Sequence, residues 1–129
     1  MSSKNKLIFN FFLITIVLLI YSISALAAED FTVKSVNKVV SMCSCETVED
    51  SFVIKNTGDV PSTYKLEARG EAANWAEFIP DKFTLQPGQS GRLINEIQPK
   101  CGTTGTFGLM VVITTDNGLQ KAFVQNIKT

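Results

Sequence analysis

Three cysteines carry the readiest chemistry in this sequence: Cys43, Cys45 and Cys101. A thiolate is a nucleophile and a soft metal ligand, and outside the reducing cytoplasm thiols tend to pair. Cys43 and Cys45 are two apart, so on an extended strand both side chains point the same way. Cys101 stands between Ile97-Gln98-Pro99 and the turn-forming Gly102-Thr103-Thr104-Gly105. The plainest outcome is one disulfide from Cys101 to Cys43 or to Cys45. It closes a loop of about 57 residues, worth about 4 kcal/mol in the chain-entropy model. The third thiol is then buried or bridges to another chain. A second reading is a three-thiolate metal site on Cys43, Cys45 and Cys101, soft enough for zinc or Cu(I). It lacks a fourth ligand, with Met42 the soft donor alongside. A third reading is redox exchange, although Cys-x-Cys is less diagnostic than Cys-x-x-Cys and no helix start is evident to lower a thiol pKa.

The rest of the inventory argues against an enzyme. There is no histidine, so no imidazole is present to take a proton from a serine or cysteine nucleophile. Asp59, Asp81 and Asp116 each sit beside turn residues and read as turn chemistry; no loop gathers the several carboxylates that calcium needs. Glu46, Glu49 and Asp50 read as a solvated strand edge. No glycine-rich phosphate loop occurs, and outside the metal reading no cofactor is expected.

These residues follow an export segment. Lys4 and Lys6 precede an almost wholly apolar run from Leu7 to Ile23, and Ala25-Leu26-Ala27 supplies the small-x-small pattern of a peptidase site. Residues 1–27 are therefore expected to be a signal peptide or an uncleaved N-terminal membrane anchor, with residues 28–129 one domain on the cell surface or secreted. Lys4 and Lys6 belong to that segment, which leaves ten basic against twelve acidic residues. Such a balance offers nucleic acid no electrostatic footprint.

Residues 28–129 alternate with a period of two. Phe52 and Ile54 share one face while Ser51, Val53 and Lys55 take the other; Tyr64 to Arg69 alternates apolar and charged; Phe107 to Ile113 is a near-continuous apolar run; Leu119 to Ile127 closes the chain. Turns are marked by Asn56-Thr57-Gly58-Asp59, Gln86-Pro87-Gly88-Gln89 and Asp116-Asn117-Gly118, the last a type I′ hairpin signal. Only Glu71 to Glu77 offers a helical turn. About seven short strands in about 100 residues is the pattern of an all-β, immunoglobulin-like sandwich. Its expected core is Phe52, Ile54, Leu66, Trp75, Phe107, Leu109 and Val111. Met110 and Val112 fall on the opposite face of their strand, and Ala122 and Val124 are expected beside them. That outward apolar stripe is expected to meet a partner or a second copy.

The middle of the chain resembles the NEW3 and CARDB type of immunoglobulin-like module of prokaryotic surface proteins. The resemblance rests on Phe52-Val53-Ile54-Lys55-Asn56-Thr57-Gly58-Asp59, Asn74-Trp75, Phe83-Thr84-Leu85-Gln86-Pro87-Gly88-Gln89-Ser90 and Gly105-Thr106-Phe107. It implies a sandwich with a spacer or binding role and no catalysis. Phe107 stands where that family often has Tyr, and the cysteines are not general to it. The expected function is thus a non-enzymatic structural or interaction module of the cell envelope. Its alternatives are a thiol protein carrying metal or redox equivalents on the three cysteines, and a carbohydrate-binding domain using Trp75.

Overall fold

The computed structural model describes residues 27–34 and 36–129. The export segment read at 1–27 lies outside the described residues, save for Ala27. Among the described residues nine strands form two sheets. One holds β1 (Phe31–Lys34), β3 (Val48–Asn56), β7 (Ser90–Ile97) and β5 (Ala76–Ile79), in that order. The other runs β2 (Val39–Ser41), β9 (Gln120–Lys128), β8 (Thr106–Thr115), β4 (Ser62–Arg69) and β6 (Lys82–Leu85). Every pairing is antiparallel except β2 with β9. From β1 in one sheet the chain crosses to join the edge of the other as β2.

The period-two pattern sets which face is inside. Phe52 and Ile54 of β3 and Leu109, Val111 and Ile113 of β8 are fully buried, and Leu66 of β4 nearly so. Leu93 and Ile97 of β7, Ile127 of β9 and Phe31 of β1 complete the layer between the sheets. Each such side chain contributes about 1.5–3 kcal/mol by leaving water. Phe52 meets Phe123 edge to face at 5.2 Å, and Phe31 meets Tyr64 in the same way at 5.2 Å. Burial pushes the Tyr64 hydroxyl pKa up.

Two expected core residues lie at its margin. Trp75 and Phe107 are half-buried and pack against the core. Trp75 ends a 3-10 turn, Ala73–Trp75, and its ring meets Phe107 edge to face at 4.8 Å. A short turn entering an edge strand cannot carry an indole between the layers, so the ring caps their end. Trp75→Ala should therefore cost about 3 kcal/mol, the lower end for removal of a large aromatic side chain. The urea midpoint of the purified variant measures it.

Two turns show local chemistry at work. Gly58 has no room for a side chain: an added Cβ would sit 2.6 Å from the Ala28 carbonyl oxygen and 2.7 Å from the Asp30 nitrogen. The incoming segment lies across that turn, with Asp59 N–H donating to Ala28 O at 2.8 Å and Gly58 N–H to Asp30 O at 3.0 Å. The β8–β9 connection is longer than the expected type I′ turn. Gly118 alone takes a positive φ, of 92°, while Thr115 N–H donates to Leu119 O at 2.9 Å. The loop therefore spans Asp116 to Leu119, and Asn117 is spared the left-handed conformation that type I′ would require.

Candidate functional site

The cysteines lie outside the strands. Cys45 is bonded to Cys101, with Cα atoms 4.5 Å apart, and Cys43 is free and exposed. The leftover thiol is thus not buried, one of the two places expected for it. The Cys43–Glu46 turn is closed by Glu46 N–H donating to Cys43 O at 3.2 Å and by Cys43 N–H donating to Glu46 Oε2 at 3.0 Å. Cys45 has a φ of 71°, the left-handed region that disfavours a side chain. The disulfide joins the approach to β3 with the exit of β7, strands already paired at Val48 and Ile97. With two of three sulfurs bonded to each other, the three-thiolate metal site is not assembled. Among the described residues no group of three or more His, Cys, Asp or Glu is placed to hold a metal ion.

A polar bridge, unforeseen in the sequence, crosses the core. Asp50 of β3, Asn95 of β7 and Gln125 of β9 point inward and are buried. Gln125 Nε2 donates to Asp50 Oδ2 at 2.6 Å and to Asn37 O at 2.8 Å. Asn95 Nδ2 donates to Gln125 Oε1 at 3.2 Å, and Asn37 Nδ2 donates to Asp50 Oδ1. Asp50 is therefore not part of a solvated edge, as its acidic neighbours suggested. Its buried carboxylate holds the crossover between β1 and β2 against both sheets. A second pin lies nearer the start of β9. Lys121 Nζ reaches Asp30 Oδ1 at 2.7 Å and sits 5.0 Å from the centre of the Phe31 ring. Hydrogen bonds from Lys121 and from Phe31 N–H hold the Asp30 carboxyl below the usual carboxylate range.

The outer face of the five-stranded sheet divides by chemistry. On β4, Glu67 lies between Lys65 at 3.2 Å and Arg69 at 3.3 Å, and those two hydrogen bonds lower its pKa. With Lys82, Thr114 and Gln120 they line a shallow cleft of about 470 Å³. On β8 and β9 the face is apolar. Met110 stands opposite Val124, and Val112 opposite Ala122. Met110 is 40% exposed, Val124 54% and Val39 of β2 56%, and Ala122 is exposed. Val112 departs from the expected exposed stripe: it is 4% exposed although it lies outside the core cluster. It occupies a central strand, flanked by Glu67 on one side and Ala122 on the other.

The edge beside this apolar strip is half open. β2 covers β9 only from Asn126 to Lys128. Asn126 N–H donates to Lys38 O at 2.8 Å, and Lys128 O accepts from Met42 N–H at 2.9 Å. Alternation along the strand aims the backbone groups of Gln120, Ala122 and Val124 toward the same edge. Among the described residues no strand pairs with them there.

Trp75 borders a separate cleft of about 260 Å³ at the end of the four-stranded sheet, lined by Thr47, Asn74, Ala76, Glu77, Glu96 and Gln98. Glu96 stands between Glu49 and Glu77 in the register of that sheet.

No family model matches the chain, and no curated protein sequence matches it. Solved structures do. The PapD-like domain 7 of human CEP192 aligns with a TM-score of 0.62 at 12% identity, over 84% of this chain and 95% of that one. In the complex of the Salmonella enterica SafA pilin with the SafB chaperone, the match has a TM-score of 0.59 at 11% identity, over 80% of this chain and 55% of that one. A family 123 glycoside hydrolase from Clostridium perfringens aligns with a TM-score of 0.62 at 9% identity; 79% of this chain is covered and only 27% of the hydrolase. The fold is an immunoglobulin-like sandwich, similar to that of the PapD-like domain. At these identities the likeness is one of fold.

Proposed function

We propose that this chain is a contact module of the cell envelope that accepts an extended segment of another envelope protein along β9. The observation that carries this reading is the edge at Gln120, Ala122 and Val124, with which no strand pairs among the described residues, beside the exposed side chains of Val39, Met110 and Val124. Unpaired strand groups select an extended backbone, and an apolar strip beside them selects apolar side chains at alternate positions. A disulfide supports an oxidising compartment, in keeping with the export segment. The NEW3/CARDB resemblance agrees in role, as a spacer or binding module without catalysis.

Two variants test the reading while leaving the core and the β8–β9 ladder intact. Val124→Lys places a charge in the strip. Ala122→Pro removes an N–H that faces the open edge, a position a strand tolerates. Both should keep the wild-type urea midpoint and bind envelope preparations at least tenfold more weakly, a loss of about 1.4 kcal/mol. Equal binding by the wild type and both variants rejects the β9 edge. Binding that survives both variants and disappears in Trp75→Ala transfers the function to the Trp75 cleft and the carbohydrate reading.

A further inference from the structure

Cys43 carries a free, exposed thiol, and two residues along Cys45 carries an exposed disulfide to Cys101. A thiol beside a disulfide is a nucleophile beside its electrophile. We propose that Cys43, Cys45 and Cys101 form a thiol–disulfide exchange site in which Cys43 displaces Cys45 as the partner of Cys101.

The reach is short. The Cα atoms of Cys45 and Cys101 are 4.5 Å apart, and two residues of extended chain span at most about 7 Å. The Cys43–Glu46 turn is closed, which draws Cys43 nearer than full extension allows. A disulfide needs its Cα atoms within about 7 Å. Cys101 also sits in a turn, with Thr103 N–H donating to Lys100 O at 3.2 Å. The residues that must move lie in these two surface turns, the first of them next to Met42, whose N–H donates to Lys128 O at 2.9 Å.

The step balances within the chain. The Cys43 thiol gives its proton to solvent, and the thiolate attacks Sγ of Cys101. The Cys43–Cys101 bond forms as the Cys45–Cys101 bond breaks. Cys45 leaves as a thiolate and is protonated by water. No electrons enter or leave, so no oxidant is needed. The free thiol has moved to position 45, which can relax from its left-handed conformation once it is untied.

The test uses the protein purified without reductant. Cys45→Ser should be a monomer holding a Cys43–Cys101 disulfide and no alkylatable thiol, while Cys43→Ser should keep Cys45–Cys101. Two alkylatable thiols in Cys45→Ser, or a covalent dimer through Cys43, would overturn the proposal. If Cys45→Ser does not fold, the wild type decides. Its free thiol is labelled with a maleimide after incubation under mildly acidic or mildly alkaline conditions, and the peptide carrying Cys43 and Cys45 is fragmented. Exchange runs through the thiolate, so the share of label on Cys45 should rise several-fold in the alkaline sample. Label confined to Cys43 in both samples would also overturn the proposal.

Discussion

Gln125→Leu should lower the unfolding free energy by about 3 kcal/mol, although leucine is more apolar and of similar size. The side-chain amide of Gln125 is fully buried and donates to Asp50 Oδ2 and to Asn37 O. Leucine fills the space and donates nothing. The Asp50 carboxylate would then keep Asn37 Nδ2 as its one donor while still 5% exposed. Leaving a buried charge short of partners costs more than the hydrogen bond itself contributed, because its desolvation is no longer offset. Asn95 Nδ2 would lose its acceptor as well, and Asn95 Oδ1 already lacks a donor. The triple variant Asp50→Leu, Asn95→Leu, Gln125→Leu removes the charge with its partners and should recover to within about 1 kcal/mol of wild type. Urea unfolding of the single and triple variants separates the explanations. A triple variant no more stable than Gln125→Leu would mean that packing, not charge, sets the cost.

That bridge was within reach of the sequence. Asp50 has the parity of Phe52 and Ile54, Asn95 that of Leu93 and Ile97, and Gln125 that of Phe123 and Ile127. Each is a polar residue set between two apolar residues at the inward positions of its strand. Composition near Asp50 masked the signal, because Glu46 and Glu49 made the stretch look solvated. What no local pattern supplies is that three inward polar residues from different strands meet. That depends on how the two sheets stack, and on a crossover that delivers Asn37 to the same place.

The opposite holds for the outer face. Alternation alone places Met110 and Val112 outward, and Val124 and Ala122 are their respective register partners across β8 and β9. Exposure was not legible, since it depends on how many strands flank a position. Val112 has β4 on one side and β9 on the other and is covered. Val124 borders the open edge and is not. Nor could the sequence show that β2 stops short along β9, because a three-residue parallel edge strand has too little alternation to be recognised. The choice between Cys43 and Cys45 was likewise open, since both stand before the same strand and their spacing favours neither.

Cys101→Ser should cost about 4 kcal/mol, the largest effect of any single change outside the packed core. Cys45 and Cys101 are separated by 56 residues, and that loop contains β3 to β7. In the folded domain the bond holds little that β3 and β7 do not already hold, since Val48 and Ile97 pair within a few residues of it. Its contribution lies in the unfolded chain, whose ends it keeps together. Two signatures follow. The dependence of unfolding free energy on urea should steepen in Cys101→Ser, because the untied chain exposes more surface when unfolded. Reduced wild type should unfold at the same urea concentration as the variant, because both lack the tether and neither changes the core. A small domain has about 5–15 kcal/mol in all, so a loss of this size would bring the fold close to its limit. Serine at position 101 also removes the sulfur that Cys43 would bond in place of Cys45, so the loss should be full in this variant and smaller in Cys45→Ser. Equal losses in the two would mean that Cys43 does not take over the bond, and a loss below about 1 kcal/mol in Cys101→Ser would mean that the unfolded chain is held compact by other contacts.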